Sequence, residues 1–243
     1  MSKLKRLLSL FFGVVLMSVT SSCSALSQLG GQTIRQTFTD EKVVVLVEAA
    51  VAGESKKVAQ LAAQGVDVNA VGNNGATPLI WALSSRNKSG VAALLRANAN
   101  PNLRAEKIGD APMYFVSMGD DPELLRLLLE HGGDPNHLGR GRIEERPLTQ
   151  ATAKGRIENI KLLLAAGADI NAHDSFEESA ATSAIDSAQF EAIALLLERG
   201  YTYNISYLAR GVQIRHVPPE SDAQRWKDKV IVMLKERGVT TRK

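Results

Sequence analysis

Apolar triplets at helical spacing recur along the chain: Val58/Leu61/Ala62, Val91/Leu94/Leu95, Leu125/Leu128/Leu129, Ile160/Leu163/Leu164 and Ile193/Leu196/Leu197. Spacing of i, i+3, i+4 places each triplet on one stripe of an amphipathic helix. A short polar phrase follows each stripe: Gly65-Val-Asp-Val-Asn69, Asn98-Ala-Asn-Pro-Asn102, Gly132-Gly-Asp-Pro-Asn136, Gly167-Ala-Asp-Ile-Asn171 and Gly200-Tyr-Thr-Tyr-Asn204. The phrases begin 33, 34, 35 and 33 residues apart. Sixteen residues before each phrase stands a small or branched apolar residue, Ala49, Ala82, Val116, Ala151 or Ala184. Pro78, Pro112 and Pro147 lie four residues before three of these, where a missing N–H costs a helix nothing. Thr77 and Ser179 are placed to cap the helices that follow them. Each unit therefore reads as turn, short helix, longer helix and closing turn. The glycine suits the left-handed close of the second helix, and the asparagine is expected to hydrogen-bond locally and hold the reversal. A period near 33 predicts a stacked helical array, because one such unit cannot bury its own apolar face.

At Gly75-Ala-Thr-Pro-Leu-Ile-Trp-Ala82 and Lys161-Leu-Leu-Leu-Ala-Ala-Gly-Ala-Asp-Ile-Asn-Ala172 the chain resembles the ankyrin-repeat family. The resemblance runs over roughly residues 40–204, with a decayed further unit behind it. It implies an all-α fold, an ankyrin-repeat solenoid of about five to six helix-turn-helix units. Some copies depart from the family pattern. Where the family has histidine after Thr-Pro-Leu, this chain has Ile80, Tyr114 and Thr149. One copy carries a longer turn with Gly139-Arg-Gly-Arg142, and the next has Ala180 in place of the proline. Residues 39–204 are assigned to the repeat domain. Thr39 and Asp40 are candidate caps at its start, and residues 205–243 read as an irregular loop plus a C-terminal capping helix. Ile231, Leu234 and Lys235 precede Gly238 at the repeat's offsets, and a lysine suits an outer face.

The first 22 residues are of another kind. Lys3, Lys5 and Arg6 precede an apolar run from Leu7 to Val19, then Thr20-Ser-Ser-Cys23. Thirteen apolar residues fall short of the roughly 20 that span a bilayer, and the layout is that of a secretory signal. Cys23 is the single cysteine, so an internal disulfide is excluded. Its setting resembles the bacterial lipoprotein signal, although Thr20 stands where that family usually has leucine. The resemblance implies lipidation of Cys23 and, with Ser24 behind it, a periplasmic protein anchored to the outer membrane of a Gram-negative bacterium. Cleavage after Ala25 would instead release a soluble periplasmic protein. Residues 23–38, rich in Ser, Gln and Gly, read as a flexible tether of roughly 20 Å root-mean-square span, or as a tail with no spacing role.

Charge changes little once the leader is set aside. The chain has 29 Lys and Arg against 26 Asp and Glu. Three of the basic residues lie in the leader, which leaves the remainder near neutrality and excludes a nucleic-acid reading. His131, His137, His173 and His216 have no metal-ligand spacing. The Gly139–Ile143 stretch lacks a Walker lysine, and no Gly-x-Ser-x-Gly elbow is present. Asp120-Asp121 reads as a helix cap, and Glu144-Glu145 and Glu177-Glu178 as solvated turns. An interaction protein rather than an enzyme is expected, with no cofactor or metal.

In the ankyrin family, partners are gripped by turn tips and the adjacent first helices. Carried onto this sequence, the tips are Asn73, Asn74 and Ala76; Lys107, Ile108 and Asp110; Arg142, Ile143 and Glu145; Ser175, Phe176 and Glu178. The helix positions are Ser84, Ser85, Met118, Gly119, Ala153, Lys154, Asp186 and Ser187. Ile143 and Phe176 are apolar where solvation favours polar residues, and Arg140 and Arg142 lie beside Ile143. That is hot-spot composition. The alternative, packing of these two side chains on each other or on neighbouring turns, is open on sequence. The partner-binding set is therefore Asn73, Asn74, Lys107, Ile108, Arg140, Arg142, Ile143, Ser175 and Phe176. The expected function is protein binding at a membrane. Either the protein neutralises a secreted antibacterial toxin such as a lipase, as an immunity protein, or it is an envelope scaffold or stress-protection factor.

Overall fold

The computed structural model describes residues 28–29, 31–103, 111–138 and 146–239. Thirteen helices occupy these residues: α1 (Ile34–Thr37), α2 (Glu41–Ala52), α3 (Ser55–Ala63), α4 (Pro78–Ser84), α5 (Lys88–Arg96), α6 (Pro112–Met118), α7 (Pro122–Glu130), α8 (Pro147–Ala153), α9 (Ile157–Ala165), α10 (Ala180–Asp186), α11 (Phe190–Glu198), α12 (Ile205–Ile214) and α13 (Asp222–Glu236). After α1 they form six consecutive pairs, the all-α repeat stack that the periodicity predicts. The chain divides into two compact units, one running to Ala99 and the other from Asn100 onward among the described residues. In the first, α2 packs on α4 and α3 on α5. In the second, the first helices α6, α8, α10 and α12 pack in sequence, and so do α7, α9, α11 and α13.

The predicted caps are present. Oγ1 of Thr77 accepts from the Ile80 amide at 3.3 Å, Asp40 from Lys42 at 2.8 Å and Asp121 from Glu123 at 3.2 Å. Ser179 and Thr182 form a reciprocal capping box. Every second helix ends in the same way. The amide five residues on returns to the carbonyl of Leu61, Leu94, Leu128, Leu163, Leu196 or Leu234. This Schellman closure needs a left-handed residue, supplied by Gly65, Gly132, Gly167, Gly200 and Gly238, and by Asn98 at φ 67°.

The asparagine of each phrase acts differently from the local role expected of it. Within the turn, the residue two before it makes the bond: Asp67, Asn100, Asp134 and Asp169 accept the amide of the asparagine at 2.8–2.9 Å. In the first four phrases the asparagine itself reaches the next repeat. Its amide donates to the carbonyl of the next closing residue, Asn69 to Asn98 (3.2 Å), Asn102 to Gly132 (2.8 Å) and Asn136 to Gly167 (2.9 Å). Its oxygen accepts the amide two residues later in that repeat, Asp134 for Asn102 and Asp169 for Asn136, both at 2.8 Å. The Asn171 oxygen accepts the amides of Thr202 and Tyr203.

The core lies between helix layers. Val58, Val91, Leu94, Leu125, Leu128, Ile160, Leu163, Ile193 and Leu196 are fully buried. The third stripe residue is only half-buried at Ala62, Leu129 and Leu164, but Leu197 is buried. Seven of the nine residues of α11 are buried because the long α13 lies against it. Gly90 of α5 sits against the Ala50 carbonyl of α2, and a Cβ there would come to 1.8 Å. Polar side chains cap the first helices from later repeats. Nδ2 of buried Asn159 donates to the carbonyls of Val116, Ser117 and Gly119 at 2.9–3.1 Å, and Asn87 reaches Val51.

Two segment boundaries move. The tether expected over 23–38 is structured in its described part. Gln28–Leu29 pairs antiparallel with Gln32–Thr33, and Thr33 caps α1. Thr37 and Phe38 are buried, and Asn73 bonds both Gln36 and Thr37. Polar composition did not reveal this, since backbone carbonyls hold the segment. The loop expected from residue 205 is instead a helix as far as Ile214, with Leu208, Ala209 and Val212 buried on one face. Two cations fasten the end of the chain. Lys227 of α13 donates to the carbonyls of Gln213 (3.2 Å) and Arg215 (2.6 Å) at the close of α12, a favoured site for a cation. Arg237 bonds the carbonyls of Leu197 and Tyr201. Lys235 is exposed, as expected.

Replacing Asn136 by Ala removes two bonds to the following repeat and leaves a turn amide and a carbonyl without their partner. Urea unfolding is expected to show a loss of about 1–3 kcal/mol, whereas Asn204→Ala, which holds no following turn, should cost less.

Candidate interaction groove

Of the sequence-predicted tips, Lys107, Ile108, Arg140, Arg142 and Ile143 lie outside the described residues, as does Cys23. Asn73 and Asn74 belong to the first unit and Ser175 and Phe176 to the second. The amides of Asn73 and Asn74 are engaged with the N-terminal segment, Asn73 with the Gln36 carbonyl (2.5 Å) and Asn74 with the Thr37 hydroxyl (3.2 Å). Ser84 and Ser85 bond carbonyls of their own helix.

The turn bearing Ser175 and Phe176 is built around Asp174. This buried carboxylate accepts the amides of Phe176 and Glu178, both at 2.8 Å. The backbone closes with Glu177 donating to Asp174 and Asp174 to Glu178. The same bonds close the turn of the first unit, where Gly75 donates to Gly72. Gly75 has φ 86°, and Glu177, in the matching place, has φ 63°. A side chain in that conformation costs about 1–2 kcal/mol. Arg86, Ala188 and Glu220 hold a left-handed conformation as well.

The Glu177 side chain reaches the next repeat. One carboxylate oxygen accepts from Asn204 Nδ2 at 3.3 Å, and Asn204 is itself left-handed at φ 38°. Beside them the rings of His173 and Tyr203 stack at 4.0 Å, 8° from parallel. The Tyr203 phenol is pushed above its ordinary range, first by desolvation and then by the carboxylates of Glu177 and Asp174.

Between this turn and helices α10 and α12 runs a groove of about 600 Å³. Phe176 stands over it, 72% exposed. That exposure leaves the Phe176 ring open to solvent, while Ile143, the other half of the packing left open on sequence, lies outside the described residues. Ile185 and Asp186 of α10 and Tyr207, Gly211 and Ile214 of α12 line the rest. Gly211 lets α12 lie close on α10, since a Cβ there would meet Ile185 Cδ1 at 2.6 Å. The groove thus joins apolar surface to carboxylates and backbone carbonyls. Nothing in it makes a nucleophile–base pair, and among the described residues no group of His, Cys, Asp and Glu is placed to hold a metal ion. Tyr207 and Ile214 lie in the segment whose sequence predicts a loop. The signal was the apolar spacing of Leu208, Ala209 and Val212, obscured by Arg210 and Gly211.

An ankyrin-repeat family model of three copies matches residues 107–207, and a single-copy model matches residues 74–106, together more than half of the chain. Among curated proteins the chain is similar to the Ankyrin repeat and KH domain-containing protein mask-1 of Caenorhabditis elegans. Identity is 28%, over 65% of this chain and 7% of that protein. It is 34% identical to Ankyrin repeat and SOCS box protein 6 of Homo sapiens, over 44% of this chain and 27% of the relative. It is 31% identical to Transient receptor potential cation channel subfamily A member 1 of Homo sapiens, over 44% and 10%. The chain spans less than a third of the length of each of these relatives.

Glu177→Gly relieves the left-handed strain and forfeits backbone entropy and one long hydrogen bond. The thermal transition is expected to rise, by an amount equivalent to about 0.5–1 kcal/mol. A fall would show that the side chain is retained for stability.

Proposed function

The chain belongs to the ankyrin-repeat family, and from that premise we propose that it is an exported protein-binding module tethered to a bacterial envelope membrane through Cys23. Ankyrin repeats are interaction modules, and the exposed apolar groove beside the turn of Phe176 is the observation that carries the reading. A concave site that gathers exposed apolar side chains beside a few polar groups is the default place for something to bind. The leader supports the location: Lys3, Lys5 and Arg6, the Leu7–Val19 run and the small residues before Cys23. No helix among the described residues is long and apolar enough to cross a membrane.

Within this reading the partner is a secreted antibacterial toxin such as a lipase, which the module neutralises by covering the mouth of its active site. Such inhibition needs surface and no chemistry of its own. It also needs the inhibitor to stand where the toxin arrives, which a lipid anchor provides.

Cys23→Ala is expected to move the protein from the membrane to the soluble envelope fraction; unchanged membrane association would defeat the anchor. Deleting the gene is expected to make cells sensitive to contact with wild-type siblings. Full resistance of the deletion strain would remove the immunity reading in favour of an envelope scaffold.

A further inference from the structure

Six large apolar side chains stand well exposed among the described residues, and three of them, Phe176 (72%), Tyr207 (51%) and Ile214 (73%), line the one groove. Single exposed apolar residues are ordinary, but a cluster in a concave site is not. The groove's size, about 600 Å³, suits a few side chains of a partner.

Its charge is one-sided. Glu177, Glu178 and Asp186 bring three carboxylates to the lining, against Arg215 and the weakly basic His216. Arg215 is turned back on the fold, its guanidinium donating to the Asp186 carbonyl at 2.6 Å. Asp186 and Ile214 are the last residues of α10 and α12, and each helix end already holds a cation. Arg215 sits on the Asp186 carbonyl and Lys227 on the carbonyls of Gln213 and Arg215, so the negative character of the groove comes from its carboxylates. The Tyr203 phenol nearby is raised first by desolvation and only then by the carboxylates of Glu177 and Asp174. The strained Glu177 is one of these carboxylates, at a place where glycine would cost less.

We propose that this groove receives a segment of the protein partner that presents an aromatic or branched apolar side chain between lysines or arginines. The inference rests on the reading of the chain as a protein-binding module and adds the chemistry of what it grips. The apolar side chain lies against Phe176, Tyr207 and Ile214, and the flanking cations meet Glu177 and Asp186.

A random dodecapeptide library displayed on phage, panned against the full-length chain, tests this. Enriched peptides are expected to carry an apolar residue between basic ones. A fluorescent copy of one such peptide should bind at least about tenfold more weakly to each of two double variants, Phe176→Ser with Ile214→Ser and Glu177→Lys with Asp186→Lys. Binding should also weaken from about 50 to about 300 mM salt. All four positions are exposed, so the thermal transitions of the variants serve as the control for folding. Enrichment of acidic peptides, no enrichment, or binding that survives both double variants overturns the proposal. In the last case the chain still binds peptides, so the interaction reading stands and only the groove is lost. A dimer of the wild-type chain that dissolves in the Phe176→Ser, Ile214→Ser variant would give the groove to a second copy and overturn it as well.

Discussion

Everything in the described units hangs on one bridging side chain, the asparagine that ends each closing turn. A helix pair of this length exposes its apolar stripe unless another pair covers it, so the fold depends on neighbours meeting in register. Asn102 and Asn136 fix that register at the backbone, each giving a hydrogen bond to the next turn's carbonyl and taking one from its amide. Asn69 makes the carbonyl bond within the first unit. A side chain that must reach the same two atoms each time tolerates little change in the distance between turns. This accounts for spacing that varies by only two residues across four steps while most other positions drift.

The bridge stops at Asn204, and the chain's unusual chemistry begins there. Asn204 holds no following turn; it is left-handed at the start of α12 and bonds the carboxylate of Glu177 instead. Around it gather a strained glutamate, a stacked His–Tyr pair and three exposed apolar side chains. None of these helps to bury the stack. These last copies are nonetheless made secure by other means, with α13 covering α11, Lys227 within α13 bonding carbonyls at the close of α12 and Arg237 just beyond it bonding the Tyr201 carbonyl. Rigid support beneath and unsatisfied surface above is the arrangement a binding site needs.

Much of the fold was legible because the residues that set it act locally or by period. Pro78, Pro112 and Pro147 do begin helices, Thr77, Ser179, Asp40 and Asp121 do cap them, and most stripe residues are buried. The candidate site was legible in part. Phe176 stands out in sequence as an apolar residue in a polar turn, and its exposure agrees. Tyr207 and Ile214 do not stand out, since their helix lacks the proline and glycine marks that announce the others. Asn73 and Asn74 stand in sequence as partner-binding turn tips, yet α1, which no periodicity announces, engages both, Asn73 through the Gln36 carbonyl and Asn74 through the Thr37 hydroxyl.

The sequence by itself determined the repeat: its period, its buried stripe, its helix starts and its left-handed closes. These are consequences of φ preference, capping and amphipathic spacing within a few dozen residues. Tertiary structure alone decided what each polar side chain is for. Whether an asparagine steadies its own turn or the next one depends on which carbonyl stands about 3 Å away. The turn that carries Asn69 lies 29 residues from its partner, and Glu177 lies 27 residues from Asn204. Contacts at that separation exist only once the pairs have stacked. Only the stack brings Phe176, Tyr207 and Ile214 to one groove.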